Sequence, residues 1–156
     1  MVSQNPQVLQ KFFYLIQLAV GKCPVEIIPI DEKEWEIIFE MSTKQSLVGF
    51  VFEGVQKFSE NHPNQKPPFT LLCEWIGETE QIKSQNKQMN DRSAMLKRMF
   101  EGWGYGNCIL KGQGVARLYP VPEVRQPGDI DIWVDGKRDD IIKKLKQDFI
   151  GVSYIA

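Results

Sequence analysis

Two aspartates one residue apart, Asp129 and Asp131, are the side chains in this sequence whose type and spacing are best suited to chemistry. They lie in Gly128-Asp129-Ile130-Asp131-Ile132-Trp133-Val134, where Ile130, Ile132 and Val134 alternate with the acids and Trp133. Period-two alternation is the mark of a strand, and on a strand residues i and i+2 share a face. The two carboxylates then stand side by side, with Cα atoms about 6.6–6.8 Å apart. Like charges so placed repel unless a cation joins them. Mg²⁺ takes oxygen ligands at about 2.0–2.1 Å and keeps positions open for phosphate oxygens. Two such ions about 3.5–4 Å apart can activate a hydroxyl and neutralise a leaving pyrophosphate. The plainer alternative is a solvated strand face that carries two acids.

The upstream residues bear on that choice. Asn107-Cys108-Ile109-Leu110 reads as a short buried strand, and Lys111-Gly112-Gln113-Gly114 turns the chain into a short helix from Val115 to Tyr119. A glycine turn that opens a helix offers backbone N–H groups and the positive helix end to an anion. Lys111 adds a cation, and Arg117 and Arg125 lie between this turn and the acids. An ordinary strand-to-helix turn with solvated arginines is the competing reading. Other glycine motifs do not fit. Gly102, Gly104 and Gly106 precede a strand, whereas a dinucleotide fingerprint follows one, and Gly106 to Gly112 lacks the spacing and the lysine of a Walker A loop.

These segments need a frame, and the first two-thirds of the chain reads as helical. Asn5 can cap a helix that begins at Pro6, with Leu9, Phe12, Phe13, Ile16, Ala19 and Val20 on one face and Gly21 as its stop. Asp31 and Glu34 form a capping box ahead of Trp35, Ile38 and Phe39. Leu47, Val48, Val51, Phe52, Val55 and Phe58 make another helical stripe, and residues 59–68 read as a loop. One long helix is expected from Phe69 to Phe100, with Leu72, Trp75, Thr79, Ile82, Met89, Leu96 and Phe100 on its apolar line. After the 130–134 strand, a helix from Asp139 to Gln147 turns Ile141, Ile142 and Leu145 inward, and Val152 to Ile155 begins a further strand. The fold class is therefore α+β: a helical region over 1–101, then a small mixed sheet with flanking helices over 102–156.

Composition removes other classes. A chain of 156 residues, 42% hydrophobic and 25% charged, supports a packed core rather than disorder. Its net charge of −1 gives no field for general nucleic-acid or acidic-membrane binding. The single histidine, His62, sits in Asn61-His62-Pro63-Asn64, read as a solvated turn, which argues against His-rich zinc sites and a Ser-His-Asp triad. Cys23, Cys73 and Cys108 lack CxxC spacing; an odd set of buried or half-buried thiols fits a reducing compartment. No signal peptide and no apolar run of spanning length is visible, so a cytoplasmic location is expected.

Strand, glycine turn, helix and a D-x-D strand together resemble the polymerase-β-like nucleotidyltransferase superfamily. Ile109-Leu110-Lys111-Gly112, Ala116, Tyr119-Pro120, Arg125 and the Gly128–Val134 run look more specifically like a bacterial group of uncharacterised nucleotidyltransferase-like proteins with a helical N-terminal region. Lys111-Gly112-Gln113 stands where the superfamily carries Gly-Gly or Gly-Ser, and sixteen residues separate Gly112 from Asp129. The resemblance implies that Asp129 and Asp131 are catalytic and ligate Mg²⁺ of a two-metal site, that Lys111, Gly112 and Gln113 approach an NTP, and that Arg125 orients a phosphate or braces the loop. It implies transfer of a nucleoside monophosphate to an acceptor that is a small molecule, a protein or an RNA. The superfamily also uses a third carboxylate on a later strand. Asp135, Asp139, Asp140 and Asp148 follow the motif, none on a clear later strand, so the core reads as C-terminally incomplete. A catalytically inactive nucleotide-binding or protein-interaction module of the same fold is the second expectation.

Overall fold

The computed structural model describes residues 6–22 and 29–148. Four helices come first: α1 (Pro6–Ala19), α2 (Glu32–Lys44), α3 (Val48–Asn61) and α4 (Phe69–Gly102). Then follow β1 (Asn107–Leu110), α5 (Lys111–Ala116), a single 3₁₀ turn (Pro122–Val124), β2 (Asp131–Val134) and α6 (Arg138–Asp148). The strands pair antiparallel, with Asn107 opposite Val134 and Leu110 opposite Asp131. The class is α+β, as the sequence predicts. Among the described residues the sheet is a two-stranded antiparallel one rather than mixed. The strand expected at 152–155, the Asn5 cap and Cys23 lie outside the described residues.

Local sequence sets the helix ends. Pro6 opens α1, where a missing N–H costs nothing. Gly21, at φ +78°, closes it: the Gly21 N–H donates to Leu18 and that of Lys22 to Gln17, the pairing of a Schellman motif. The Asp31–Glu34 capping box forms, with both reciprocal hydrogen bonds at 2.9 Å. Glu34 has a second task. Its carboxylate receives Lys11 Nζ of α1 at 2.5 and 2.6 Å, and Lys11 also donates to the Pro29 carbonyl at 2.9 Å. Lys11 is only 5% exposed, so the hydrogen bonds that satisfy its ammonium also join α1 to the start of α2.

The core lies among these helices. Leu15, Trp35, Ile38, Val51, Val55, Phe58 and Trp75 are fully enclosed. Trp75 packs on Phe39 with ring centroids 5.1 Å apart, and its indole N–H donates to the Val48 carbonyl at 3.0 Å, which ties α4 to the first turn of α3. A methyl group on Gly54 would lie 2.0 Å from the Leu15 carbonyl oxygen, so α1 and α3 meet backbone to backbone there.

Several expectations need correction. α3 runs on to Asn61, because the Asn61 side-chain amide and the His62 N–H satisfy carbonyls of its last turn. His62 is a half-buried cap whose ring sits 4.8 Å from that of Phe58, not a solvated loop residue. On α4, Met89 and Leu96 are only half-buried, and Asn86 and Ser93 take the enclosed places between Ile82 and Phe100. The enclosed line Thr79, Asn86, Ser93, Phe100 repeats every seven residues, a period that stays on one face of a long helix whatever the residue type. Cys73 and Cys108 are exposed rather than buried. Cys108 shares the open face of the sheet with Leu110, also exposed, so β1 is covered on one side only. Ile141, Ile142 and Leu145 of α6 are half-buried, and no residue of that helix is fully enclosed.

Two stability predictions follow from buried charge. Lys11→Ala strands the Glu34 carboxylate, and chemical denaturation is expected to show a loss of about 3 kcal/mol; a loss below about 1 kcal/mol would contradict a structural role for the pair. Glu78, half-buried on α4, has its pKa raised by burial and, secondarily, by the Glu74 carboxylate one turn earlier. A raised carboxyl pKa favours folding only while the group is protonated, so this contribution fades as pH rises through the raised value. Glu78→Gln is therefore expected to raise the thermal midpoint at pH 7 and to leave it unchanged well below the ordinary carboxyl pKa; melts at both pH values test this.

Candidate active site

The register of the sheet puts the acids beside the glycine turn. Leu110, the last residue of β1, faces Asp131, the first of β2, and Lys111 and Gly112 follow directly. Residues opposite one another in an antiparallel pair point to one side. Cys108, Leu110, Asp131 and Trp133 thus share the exposed face, while Asn107, Ile109, Ile132 and Val134 are half-buried on the face toward α4. Asp129 lies just before β2 and is likewise exposed.

Gly112 makes the closest link. Its φ of +29° and ψ of −109° kink the chain within α5, and a methyl group there would sit 3.1 Å from the Asp129 carbonyl oxygen. Glycine meets both demands, a rare backbone conformation and a near approach. Lys111 beside it takes φ +35°, an uncommon conformation for a residue with a Cβ, and one that concentrates at functional sites. α5 begins at Lys111 itself, not at Val115, and ends at Ala116. It is only six residues long, so the glycine turn and Lys111, rather than a long helix axis, supply the local positive character.

The other candidates diverge. Gln113 turns toward α4, where its amide donates to Asn90 Oδ1 at 2.7 Å. Arg125 is half-buried, and its guanidinium donates to the adjoining Gln126 carbonyl at 3.1 Å. Arg117 lines a crevice between α4 and α5, away from the acids. Asp135, at the end of β2, gives its backbone N–H to Gly106 at 2.7 Å. Among the described residues no three His, Cys, Asp or Glu side chains converge as a metal cage, and Asp129, Asp131 and Lys111 form no ion pair.

The acid-bearing loop is held from behind. The Asn86 side-chain amide donates to the carbonyls of Glu123 at 2.7 Å and Arg125 at 2.6 Å. Between them Val124, 1% exposed, packs with Ala19 and Phe50. A methyl group on Gly49 would lie 2.8 Å from the Val124 carbonyl oxygen, so this position of α3 has room only for hydrogen. Tyr119 adds an edge-to-face contact on Phe50 at 5.1 Å. Sequence reading passed over both Asn86 and Gly49. The visible signal was an asparagine on the line Trp75, Thr79, Ile82: an amide at a seam position needs partners from another segment. Beyond the clamp, Gln85, Gln88, Met89 and Arg92 of α4 face Pro127 and Gly128 across a shallow cleft of about 200 Å³.

A family described as uncharacterised nucleotidyltransferase matches residues 31–147, which is 117 of the 156 residues. The chain belongs to this nucleotidyltransferase family. No curated protein and no solved structure matches it.

Asn86→Ala leaves two carbonyls without their donor. The expected cost is about 1–3 kcal/mol. Hydrogen exchange should quicken at Val124, Arg125 and Asp131 while α1 and α2 keep their protection; uniform loss of protection across the chain would show that Asn86 serves the whole fold and not the loop.

Proposed function

We propose that this chain binds an NTP with Mg²⁺ through Asp129 and Asp131 and transfers the nucleoside monophosphate to an acceptor hydroxyl, releasing pyrophosphate. The observation that carries this reading is the contact of Gly112 on the Asp129 backbone, which sets Lys111 and the glycine turn beside two exposed carboxylates that form no ion pair among the described residues. Membership of a nucleotidyltransferase family supports the reaction class.

Two carboxylates suit a magnesium ion, which keeps several waters and completes its shell with phosphate oxygens. When bound, it supplies charge neutralisation on the phosphates; the two-metal arrangement is part of the proposal. The protein's own contribution is positional. Lys111 offers a compact cation to phosphate oxygens, and the kinked turn at Gly112 lets the backbone come close to them. Arg92, exposed on α4 across the cleft from Gly128, is a further cation within the same neighbourhood. Gln113 fixes α5 to α4, and Arg125 braces the loop that leads to the acids. The acceptor is a small molecule, a protein or an RNA.

The described residues contain no helix long and apolar enough to cross a membrane. Exposed, unpaired thiols at Cys73 and Cys108 support a reducing compartment, and we place the protein in the cytoplasm. A second reading, a nucleotide-binding module without catalysis, is favoured by one observation: no third acidic side chain joins Asp129 and Asp131 among the described residues.

Calorimetry with Mg²⁺ and each NTP tests the binding step. Saturable Mg²⁺-dependent binding is expected for the native chain, with at least a tenfold loss in the Asp129→Asn/Asp131→Asn double variant, as removal of two charged ligands demands. Equal binding by both proteins refutes the metal role. Pyrophosphate release on adding candidate acceptors separates the enzyme from the binding module.

A further inference from the structure

One side of α4 is uncovered among the described residues. Alternate steps of four and three residues from Cys73, through Glu80, Lys87 and Ala94, to Arg98 visit exposed positions only. That spacing is the seam along which two long helices pair. With 34 residues α4 is about 51 Å long, whereas α3, which packs on it, has only 14 residues. The two ends of the seam are apolar. Phe69, 79% exposed, lies with Cys73 and Ile76 at one end, and Ala94 and Met95 lie toward the other. Apolar side chains grouped on one exposed face mark an interaction surface.

Charge says which partner fits. From Phe69 to Ile82 the helix carries three acids and no base; from Lys83 to Arg98 it carries five bases and one acid. A helix acidic in its first half and basic in its second is complementary to itself when turned end for end. A parallel pair would set like charges together. We propose that α4 is the interface of a two-fold dimer, in which it pairs antiparallel with α4 of a second copy of this chain. About an axis between Lys83 and Ser84, Glu80 meets Lys87 of the second copy, Cys73 meets Ala94, and Phe69 meets the Arg98 guanidinium. The symmetry makes each contact twice. Lys87 and Arg98 form no ion pair among the described residues. Glu80 gives one oxygen to Lys83 at 2.8 Å and keeps the other for this contact. The apolar ends supply affinity and the charges supply direction, so the dimer weakens as salt rises. The inference does not rest on the nucleotide reading.

The test is sedimentation equilibrium of the full chain at low salt. The apparent mass is expected to rise with concentration from 18.0 kDa towards twice that value. Glu80→Lys and Lys87→Glu should each raise the dissociation constant about tenfold with helical circular dichroism unchanged, because each turns two exposed attractions into two repulsions. Mixing the two variants, or joining both changes in one chain, should restore the native constant. Oxidation of Ala94→Cys should trap a cross-linked dimer, which Cys73→Ser prevents. A chain that stays monomeric at millimolar concentration overturns the proposal and leaves the face to a different protein. So does a dimer indifferent to both charge reversals, or a mixture that fails to re-form. A disulfide between Cys73 of the two copies would mark a parallel pair and overturn the antiparallel register.

Discussion

The Asn86 side-chain amide is the interaction on which the arrangement of the acids depends. One NH₂ group reaches two carbonyls, those of Glu123 and Arg125, and leaves Val124 pressed between α3 and α4. The 3₁₀ turn and Arg125 take their place from this anchor. The strand pair fixes the other end, since Leu110 faces Asp131 and brings the Lys111–Gly112 turn with it. The loop is thus pinned twice, by a buried polar clamp behind and by a backbone ladder in front, and the carboxylates stand at the junction. Such support explains how exposed side chains on a small sheet are kept in register without packing of their own.

An open site has its own electrostatics. Asp129, Asp131 and Lys111 all face solvent, where charges are screened over roughly 8 Å at physiological salt. With a net charge of −1, the protein has no long-range field to gather polyanions. Recognition at this face must rest on direct contact rather than on long-range attraction. The adjoining face adds Leu110 and Trp133, both exposed, so a ligand there meets apolar surface beside charge.

Much of this was legible in the sequence, because much of it is local. The capping box, the proline start of α1, the glycine stop at Gly21 and the period-two alternation of β2 each depend on residues a few positions apart. The nearness of Lys111–Gly112 to the Asp129 segment was implied by the family resemblance and not by local order, since the strands that bring them together pair residues 21 to 27 positions apart. What escaped reading depends on partners far along the chain. Lys11 is enclosed because Glu34 lies 23 residues on, and Asn86 because carbonyls 37 and 39 residues on need a donor. Periodicity shows that a helix has a face, not what covers it. It therefore assigned Met89 and Leu96 to the enclosed line, where Asn86 and Ser93 stand instead. The exposure of Cys108 and Leu110 has the same origin: an apolar strand is read as buried, but here α4 covers one side alone.

The contact between Gly49 and Val124 carries a consequence for the order in which the molecule is made. The groove on α3 and the Asn86 amide leave the ribosome well before the 3₁₀ turn that fills them. A domain generally folds as a unit, so the two sides of this contact, 75 residues apart, must both have been made before the acid-bearing loop can take its place.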